Sequence, residues 1–406
     1  MKAKIDKDTI DSNAKLVSEY AGAQLFHVGI LDLVVLNGTH KEMGHQYGSL
    51  EKDKILTTRD TWKNIFVDSG KLSFDSILKV IGTPFYTSAP KTLKDFYHGI
   101  AEASGISVSE AVVLDNWLPL VLLGRRAGCS SLVAWGNKTK DGTAYMGRNL
   151  DFPEFMRDMI GVNGVIVVIN PVGGELSVAG IGAPGTISGF DDIINSNGLY
   201  VEYNNGLGSI EPVLYSNRFA LPTFMRNTLL EYGSIDELNI VLNTMKSDYP
   251  CIMGVCQPDC GIHFELSPET YMAEASPEEL SVRANQFNYP GWGIPPLPGA
   301  TGWYSESRQN AFNKLLSEKV PNIDEKTFMD AMNAPLYKAD GNLTESGFSV
   351  FEPVQNASNS GGGEFGDVTV YQIINHSAER KWWVRIPTHS GWMEIDFKKY
   401  FKNDSA

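Results

Sequence analysis

Gly128-Cys129-Ser130-Ser131-Leu132-Val133-Ala134-Trp135, then Lys140-Asp141-Gly142, then Thr143 through Gly147-Arg148-Asn149-Leu150-Asp151, is the stretch on which the reading of this chain turns. Ser130 to Trp135 is a β-type run, and Lys140-Asp141-Gly142 is a strong two-residue turn signal, which predicts a tight hairpin. A second run starts at Thr143. A hairpin returns the end of its second strand to the start of its first, so Cys129 is expected beside Arg148 and Asp151. A thiol needs a nearby cation or base to act as a nucleophile, and a carboxylate can orient and balance that charge. The plainer alternative is a small buried Cys at the start of an apolar strand, with Arg148 and Asp151 as an ordinary ion pair.

Beyond that hairpin the chain has 406 residues, long enough for two average domains or one large mixed fold. A net charge of −14 argues against binding nucleic acid, which needs a basic footprint, and against an anionic membrane surface. The start, Met1-Lys2-Ala3-Lys4-Ile5-Asp6-Lys7, lacks the apolar run of a secretory signal, and Gly29 to Leu36 is too short to span a bilayer. The expectation is a soluble, cytoplasmic protein, or an exported one if a signal has been removed. Four cysteines do not make a disulfide scaffold. Cys251, Cys256 and Cys260 with His263 match no standard zinc spacing. A hairpin turning at Pro258 to Gly261 reads better, with Cys256 and Cys260 facing each other; no metal is expected.

Residues 50 to 123 read mainly as helices. Thr39 with Glu42 and Ser107 with Glu110 are capping boxes, the second opening an apolar helix from Ala111 to Leu123. From Cys129 onward strands dominate, in hairpin succession. Helices interrupt them at Pro222 to Tyr232, Ser234 to Met245, Ser305 to Glu318 and Ile323 to Asn333, the last capped by Asn322. Such a pattern suggests stacked antiparallel sheets covered by helices, an α+β class.

The run Cys129-Ser130-Ser131, Asp141-Gly142 and Gly147-Arg148-Asn149-Leu150-Asp151 resembles the N-terminal nucleophile (Ntn) hydrolases of the choloylglycine hydrolase and penicillin V acylase group. The nearer likeness is to the acyl-coenzyme A:isopenicillin N acyltransferase branch, the C45 peptidase-like linear amide C–N hydrolases. It extends from about His40 to Phe397. In that branch the nucleophilic Cys is internal and becomes an N-terminus by self-cleavage just before it, here between Gly128 and Cys129. The resemblance implies a four-layer αββα sandwich, with a mainly helical segment 1–128 packed on a catalytic core 129–406.

It also implies roles. Arg148 would lower the thiol pKa, and Asp151 would orient the freed α-amino group, which serves as base and is partly neutral near physiological pH. Asn204 and Asn285 would supply oxyanion donors, although Ala284 and Gln286 depart from the family's pattern around Asn285. Arg308 matches a late arginine near the nucleophile; as a residue opening a helix it could equally pair with Glu306. Trp135, Tyr203, Phe287, Tyr289, Trp292 and Trp303 are candidates for an apolar acyl pocket, although aromatics are more often plain core. No cofactor is expected. The partner is a small N-acyl amide, with water or an amine accepting the acyl group, and a homo-oligomer is left open. Two other readings stand beside this one: a conventional Cys–His hydrolase using His40, His45 or His263, and a catalytically silent binding protein of the same fold.

Overall fold

Runs of Val, Ile and Leu, alternating or continuous, sort much of the chain into strands, and the periodicity of 3.6 residues sorts the rest into amphipathic helices. The computed structural model describes residues 8–69, 73–116, 128–206, 209–210, 221–244, 249–273, 279–295, 305–333 and 367–402.

The strands form two sheets. The first has the order β1 (Ile10–Asp11), β17 (Trp392–Asp396), β16 (Lys381–Arg385), β15 (Asp367–His376), β6 (Tyr145–Pro153), β5 (Cys129–Ala134) and β14 (Leu280–Arg283). The second runs β13 (Tyr271–Ala273), β12 (Cys260–Leu266), β11 (Cys251–Gln257), β10 (Tyr200–Asn205), β9 (Asp192–Asn195), β8 (Val178–Gly182), β7 (Val165–Pro171), β4 (Leu31–Gly38), β3 (Ala23–Val28) and β2 (Ala14–Tyr20).

Helices cover the outer faces. On the first sheet lie α7 (Ser305–Ser317) and α8 (Glu325–Asn333), whose Phe312, Leu316, Phe328 and Met332 share a cluster with Leu132, Ala134 and Tyr145. Against the second pack α1 (His40–Leu50), α5 (Leu221–Glu231) and α6 (Ile235–Leu242). Outside α1 lie α2 (Lys52–Ser69), α3 (Lys91–Ser104) and α4 (Val108–Asp115). The architecture is α+β, two stacked sheets between helical layers. Because side chains alternate along a strand, Cys129, Ser131 and Val133 point into the space between the sheets, with Met146, Arg148 and Leu150 beside them. There the second sheet has Gly254, where a Cβ would fall 2.8 Å from the Met146 methyl group.

The segment 1–128 is helical over much of its described length, but it does more than pack on the core. It places β1 against β17 and sets β4 parallel to β7 over seven register pairs, Asp32↔Val165 to Gly38↔Pro171. It also anchors a loop of the other segment. Asp115, the last residue of α4, is buried and accepts the N–H groups of Ile187, Ser188 and Gly189 at 2.7, 2.7 and 2.9 Å, with the Tyr97 hydroxyl at 2.6 Å.

Several local expectations shift. The helix expected over Ala111 to Leu123 starts earlier and ends at Asp115, with Asn116 as its C-cap; residues 117–127 lie outside the described residues. Asp324 rather than Asn322 caps α8, accepting from the Thr327 N–H at 3.0 Å. The β11–β12 turn is tighter than expected, pairing Gln257 with Cys260 and Cys256 with Gly261. One step of register puts Cys256 and Cys260 on opposite faces, and all four cysteines are free. Among the described residues, no helix is long and apolar enough to cross a membrane, and no group of three or more His, Cys, Asp or Glu is arranged to hold a metal ion.

Helices α1 and α3 approach so closely that only glycine fits between them. A Cβ at Gly44 would lie 2.2 Å from the Phe96 carbonyl oxygen, and one at Gly99 would lie 2.3 Å from that of Lys41. Both neighbours are backbone and cannot rotate away. Gly44→Ala should therefore destabilise the protein by about 3 kcal/mol in urea unfolding. Lys41→Ala, exposed on the same helix, should change stability by less than about 0.5 kcal/mol.

Candidate active site

The β5–β6 hairpin forms for local reasons. The Asp141 carboxylate accepts the Thr143 N–H at 3.0 Å and its hydroxyl at 2.7 Å, and Gly142 takes a φ of +77°. The resulting register pairs Cys129 with Leu150 and Ser131 with Arg148. Cys129 and Arg148 thus share a face, and Arg148 Nη2 lies 3.7 Å from the Cys129 Sγ.

Arg148 is buried, so its charge is met by protein groups. Nη1 donates to Asp192, Nε lies 3.0 Å from Glu202 Oε2, and Nη2 donates to the Tyr203 carbonyl at 2.7 Å. The Tyr371 hydroxyl lies 3.4 Å from Nη1 and donates to Asp192 at 2.6 Å. Burial alone would depress the Arg148 pKa, but Asp192, the thiol, Tyr371 and Glu202 outweigh it and keep the guanidinium charged. Glu202 is pushed up to about 7 by burial, with Arg148 pulling it down. The Cys129 thiol is pushed up to about 12, again by burial first, against the pull of Arg148. At neutral pH it is protonated in the uncleaved chain.

The backbone of Cys129 is held at both ends. Its N–H donates to Asn285 Oδ1 at 2.7 Å, and its carbonyl accepts from Arg308 Nη1 at 2.6 Å. Arg308 Nη2 also donates to Asn285 Oδ1 at 2.9 Å, so two donors fix which way that amide faces. Asn285 Nδ2 then donates to the Asn205 carbonyl at 3.0 Å. Arg308 opens α7, yet it is buried against the Cys129 backbone rather than paired with Glu306 at the surface. Burial pulls its pKa down to about 10, with Asp151 and Cys129 acting the other way. The preceding carbonyl, that of Gly128, accepts the Asp151 N–H at 3.0 Å.

Several side chains of the site are left with unused hydrogen-bonding capacity, Asp151, Asn204 and Glu202 among them. Asp151 is buried; Oδ1 accepts the Thr369 hydroxyl at 2.6 Å, while Oδ2 has no hydrogen-bond partner among the described residues. Burial pushes its pKa up to about 6, although Thr369, Arg308, Arg148 and Arg157 all favour the charged form. Asn204 is fully buried, and neither its amide nitrogen nor its oxygen has a partner among the described residues. It lies two residues beyond Glu202 on β10 and so shares that residue's face, toward the first sheet.

The aromatic candidates separate. The Tyr203 carbonyl accepts from Arg148, while its hydroxyl donates to the Phe190 carbonyl at 2.7 Å. Phe287 is buried two residues beyond Asn285. Trp135 follows the far end of β5, about 20 Å along the strand from Cys129, and is not brought to the thiol. Trp303 lies outside the described residues. The three histidines considered as bases have other partners: His40 is 2.8 Å from Glu175, His45 is 3.4 Å from the Tyr20 hydroxyl, and His263 sits 2.7 Å from Ser131 and 3.0 Å from Ser281.

Asp192 and Glu202 were not singled out from the sequence. A lone acid inside Tyr200-Val201-Glu202-Tyr203, an otherwise apolar strand, was the available signal, since a buried carboxylate demands a cation.

No protein-family model and no curated protein matches this chain. Among solved structures it is similar to two variants of a conjugated bile acid hydrolase from Clostridium perfringens, at 16% identity with a TM-score of 0.47 and 14% with 0.48. Each match covers 66% of this chain and 93% of the other. It is also similar to penicillin V acylase from Agrobacterium tumefaciens, at 11% identity and a TM-score of 0.44, over 67% of this chain and 87% of that one.

Asp151 yields a pH test. Its folded pKa of about 6 lies above the ordinary carboxyl value of 3.8, so the folded chain holds the proton more tightly than the unfolded chain does. Stability from this group is present below the ordinary value and is lost as pH rises to about 6. In uncleaved Cys129→Ala protein, replacing Asp151 by Asn should therefore become more favourable between pH 4 and pH 7.5, by up to about 3 kcal/mol. Urea unfolding at the two pH values measures it, and an effect independent of pH would contradict the assignment.

Proposed function

We propose that this chain is a self-processing cysteine hydrolase of linear amides, which cuts itself between Gly128 and Cys129 and then uses Cys129 as an N-terminal nucleophile. The observation that carries the reading is the unpartnered Asp151 Oδ2. It is buried close enough to Cys129 that its charge raises the thiol pKa. A new α-amino group at Cys129 would give this oxygen the hydrogen-bond donor it lacks, and Asn285 Oδ1 already accepts from that same nitrogen.

Self-cleavage begins with the Cys129 Sγ attacking the Gly128 carbonyl carbon. The Asp151 N–H on the Gly128 oxygen polarises that carbonyl. The C–S bond forms, the Gly128–Cys129 C–N bond breaks, and the thiol proton passes to the departing nitrogen. Water then hydrolyses the thioester, leaving a Gly128 carboxylate and a free α-amine on Cys129.

In turnover the α-amine takes the thiol proton as Sγ attacks the substrate carbonyl, with Arg148 beside the developing thiolate. Asn204, its amide unpartnered between the sheets, donates to the oxyanion. Asn285, expected as a second oxyanion donor, has its amide nitrogen on the Asn205 carbonyl; with Arg308 it instead holds the nucleophile's backbone nitrogen and carbonyl. The protonated α-amine gives its proton to the leaving amine, and water releases the acyl group. An amine in place of water would make the same cycle an acyl transfer. The partners of His40, His45 and His263 weigh against a Cys–His pair, and Asp151 Oδ2 and the Asn204 amide, without partners among the described residues, weigh against a silent binding protein, which gains nothing from burying them.

Intact mass under denaturing conditions tests the first step. Wild-type protein should give two fragments, one ending at Gly128 and one starting at Cys129, and Cys129→Ala should stay whole. A single intact chain of 44.7 kDa in both would sink the proposal. Asn204→Ala should still fold, and should lower kcat for amide hydrolysis by about 100-fold or more with little change in KM.

A further inference from the structure

Beyond β14 the chain passes the nucleophile and then turns. Asn285 holds the Cys129 N–H; two residues on, the Phe287 N–H donates to the Ser209 hydroxyl at 2.8 Å and its ring packs against Trp292 with centroids 5.0 Å apart. The Phe287 ring lies over Gly206, where a Cβ would come within 2.7 Å of it. Gly206 directly follows Asn204 and Asn205, the strand end that faces the site from the other sheet. The Phe287 ring therefore stands between the segment that carries Asn285 and the segment that carries Asn204, with Trp292 packed against it.

One carboxylate holds this arrangement. Glu265 of β12 is buried, and its oxygens accept from three residues of the turn. Oε1 takes the Asn288 N–H at 2.6 Å, Oε2 takes the Tyr289 N–H at 3.1 Å, and Oε2 also takes the Trp292 indole N–H at 2.8 Å. Arg283, at the end of β14, has its Nε 3.9 Å from Oε1. Burying a carboxylate is costly unless several donors meet it. Here the donors fix the orientation of Trp292 and both ends of the turn. Trp292 stays half-buried and Tyr289 is exposed, so aromatic surface remains uncovered at the edge of the site.

We infer that residues 287–292 form the apolar wall of the substrate site and that Glu265 is the positioning residue that holds it, so that the amides accepted carry a flat apolar group. This rests on the reading of Cys129 as the nucleophile. An aromatic wall held in one orientation favours flat groups by stacking. Losing the carboxylate frees the Trp292 indole without touching Arg148, Asp151 or Asn285.

The test needs no known substrate. Processed protein is treated with iodoacetamide or with N-phenyliodoacetamide, each Cys129 rate is divided by that of free cysteine, and the labelled position is read by peptide mass. The phenyl reagent should show an advantage at Cys129 of about five-fold, lost in Trp292→Ala and sharply reduced in Glu265→Gln, while iodoacetamide rates stay within about two-fold. If Glu265→Gln does not fold, Trp292→Ala at the edge of the site decides. A Cys129 that reacts with neither reagent overturns the nucleophile reading and this inference with it. A reactive Cys129 with no phenyl advantage, or with one that survives in every folded variant, overturns this inference alone.

Discussion

A guanidinium that cannot reach water must be neutralised where it sits, and Arg148 is such a group. It projects from β6 of one sheet, and its carboxylates, Asp192 and Glu202, come from β9 and β10 of the other. The ion pairs therefore fix how the two sheets face each other, and they do so next to Cys129. Removing one partner would leave a buried charge unpaired, which typically costs several kcal/mol. The thiol's electrostatic setting thus follows from the packing of the sandwich and cannot drift independently of it. The Tyr203 carbonyl and the Tyr371 hydroxyl complete the enclosure, leaving Nη2 aimed at the sulfur.

The upstream segment bears on the same centre from a distance. Asp115 and the Tyr47 hydroxyl hold the loop around Gly185 to Gly189, and that loop leads into Phe190, Asp191 and Asp192. The carboxylate that pairs with Arg148 is therefore placed partly by helices that precede Cys129. The parallel β4–β7 ladder ties the two segments through continuous backbone pairing. In the proposed reaction, cleavage at Gly128 breaks one covalent bond and leaves this ladder and the α1–α3 contact intact. The fragments should stay associated, because the surface each would expose on separating is sheet interior.

The hairpin was legible because its determinants are local, a β-type run, an Asp-Gly turn and a second run, but the tight two-residue turn expected is a longer connection over residues 135–144, with a 3-10 turn at Gly136–Lys138. Once register was set, the closeness of Cys129 and Arg148 followed. Capping boxes at Thr39 and Ser107 were legible for the same reason, and both form. The partners of Arg148 were not, since Asp192 and Glu202 lie 44 and 54 residues further along the chain and meet it only when the sheets stack. Nor did the upstream strands read as members of the large sheet, because parallel pairing of β4 with β7 leaves no local turn signal. Arg308 was expected near the nucleophile from the resemblance alone. At a helix start a surface ion pair is the ordinary reading, and only burial against the Cys129 carbonyl distinguishes it. Trp135 was grouped with the site by nearness in sequence, yet six residues of extended strand carry it away from the thiol.

Asp151 gives the uncleaved chain a direction in which to react. Its carboxyl is buried with one oxygen unpartnered, and its pKa of about 6 means that the charge present at neutral pH is held at a cost. The Gly128–Cys129 peptide supplies only neutral groups nearby. Hydrolysis of that bond would convert the amide nitrogen, already on Asn285, into an ammonium within the same enclosure. The carboxylate would then have a charge partner, and its pKa would fall toward or below the ordinary range. A group that destabilises the precursor would stabilise the product. In the proposed reaction the sign of this change favours the cleaved chain, and the Asp151 N–H on the Gly128 oxygen polarises the carbonyl that is attacked.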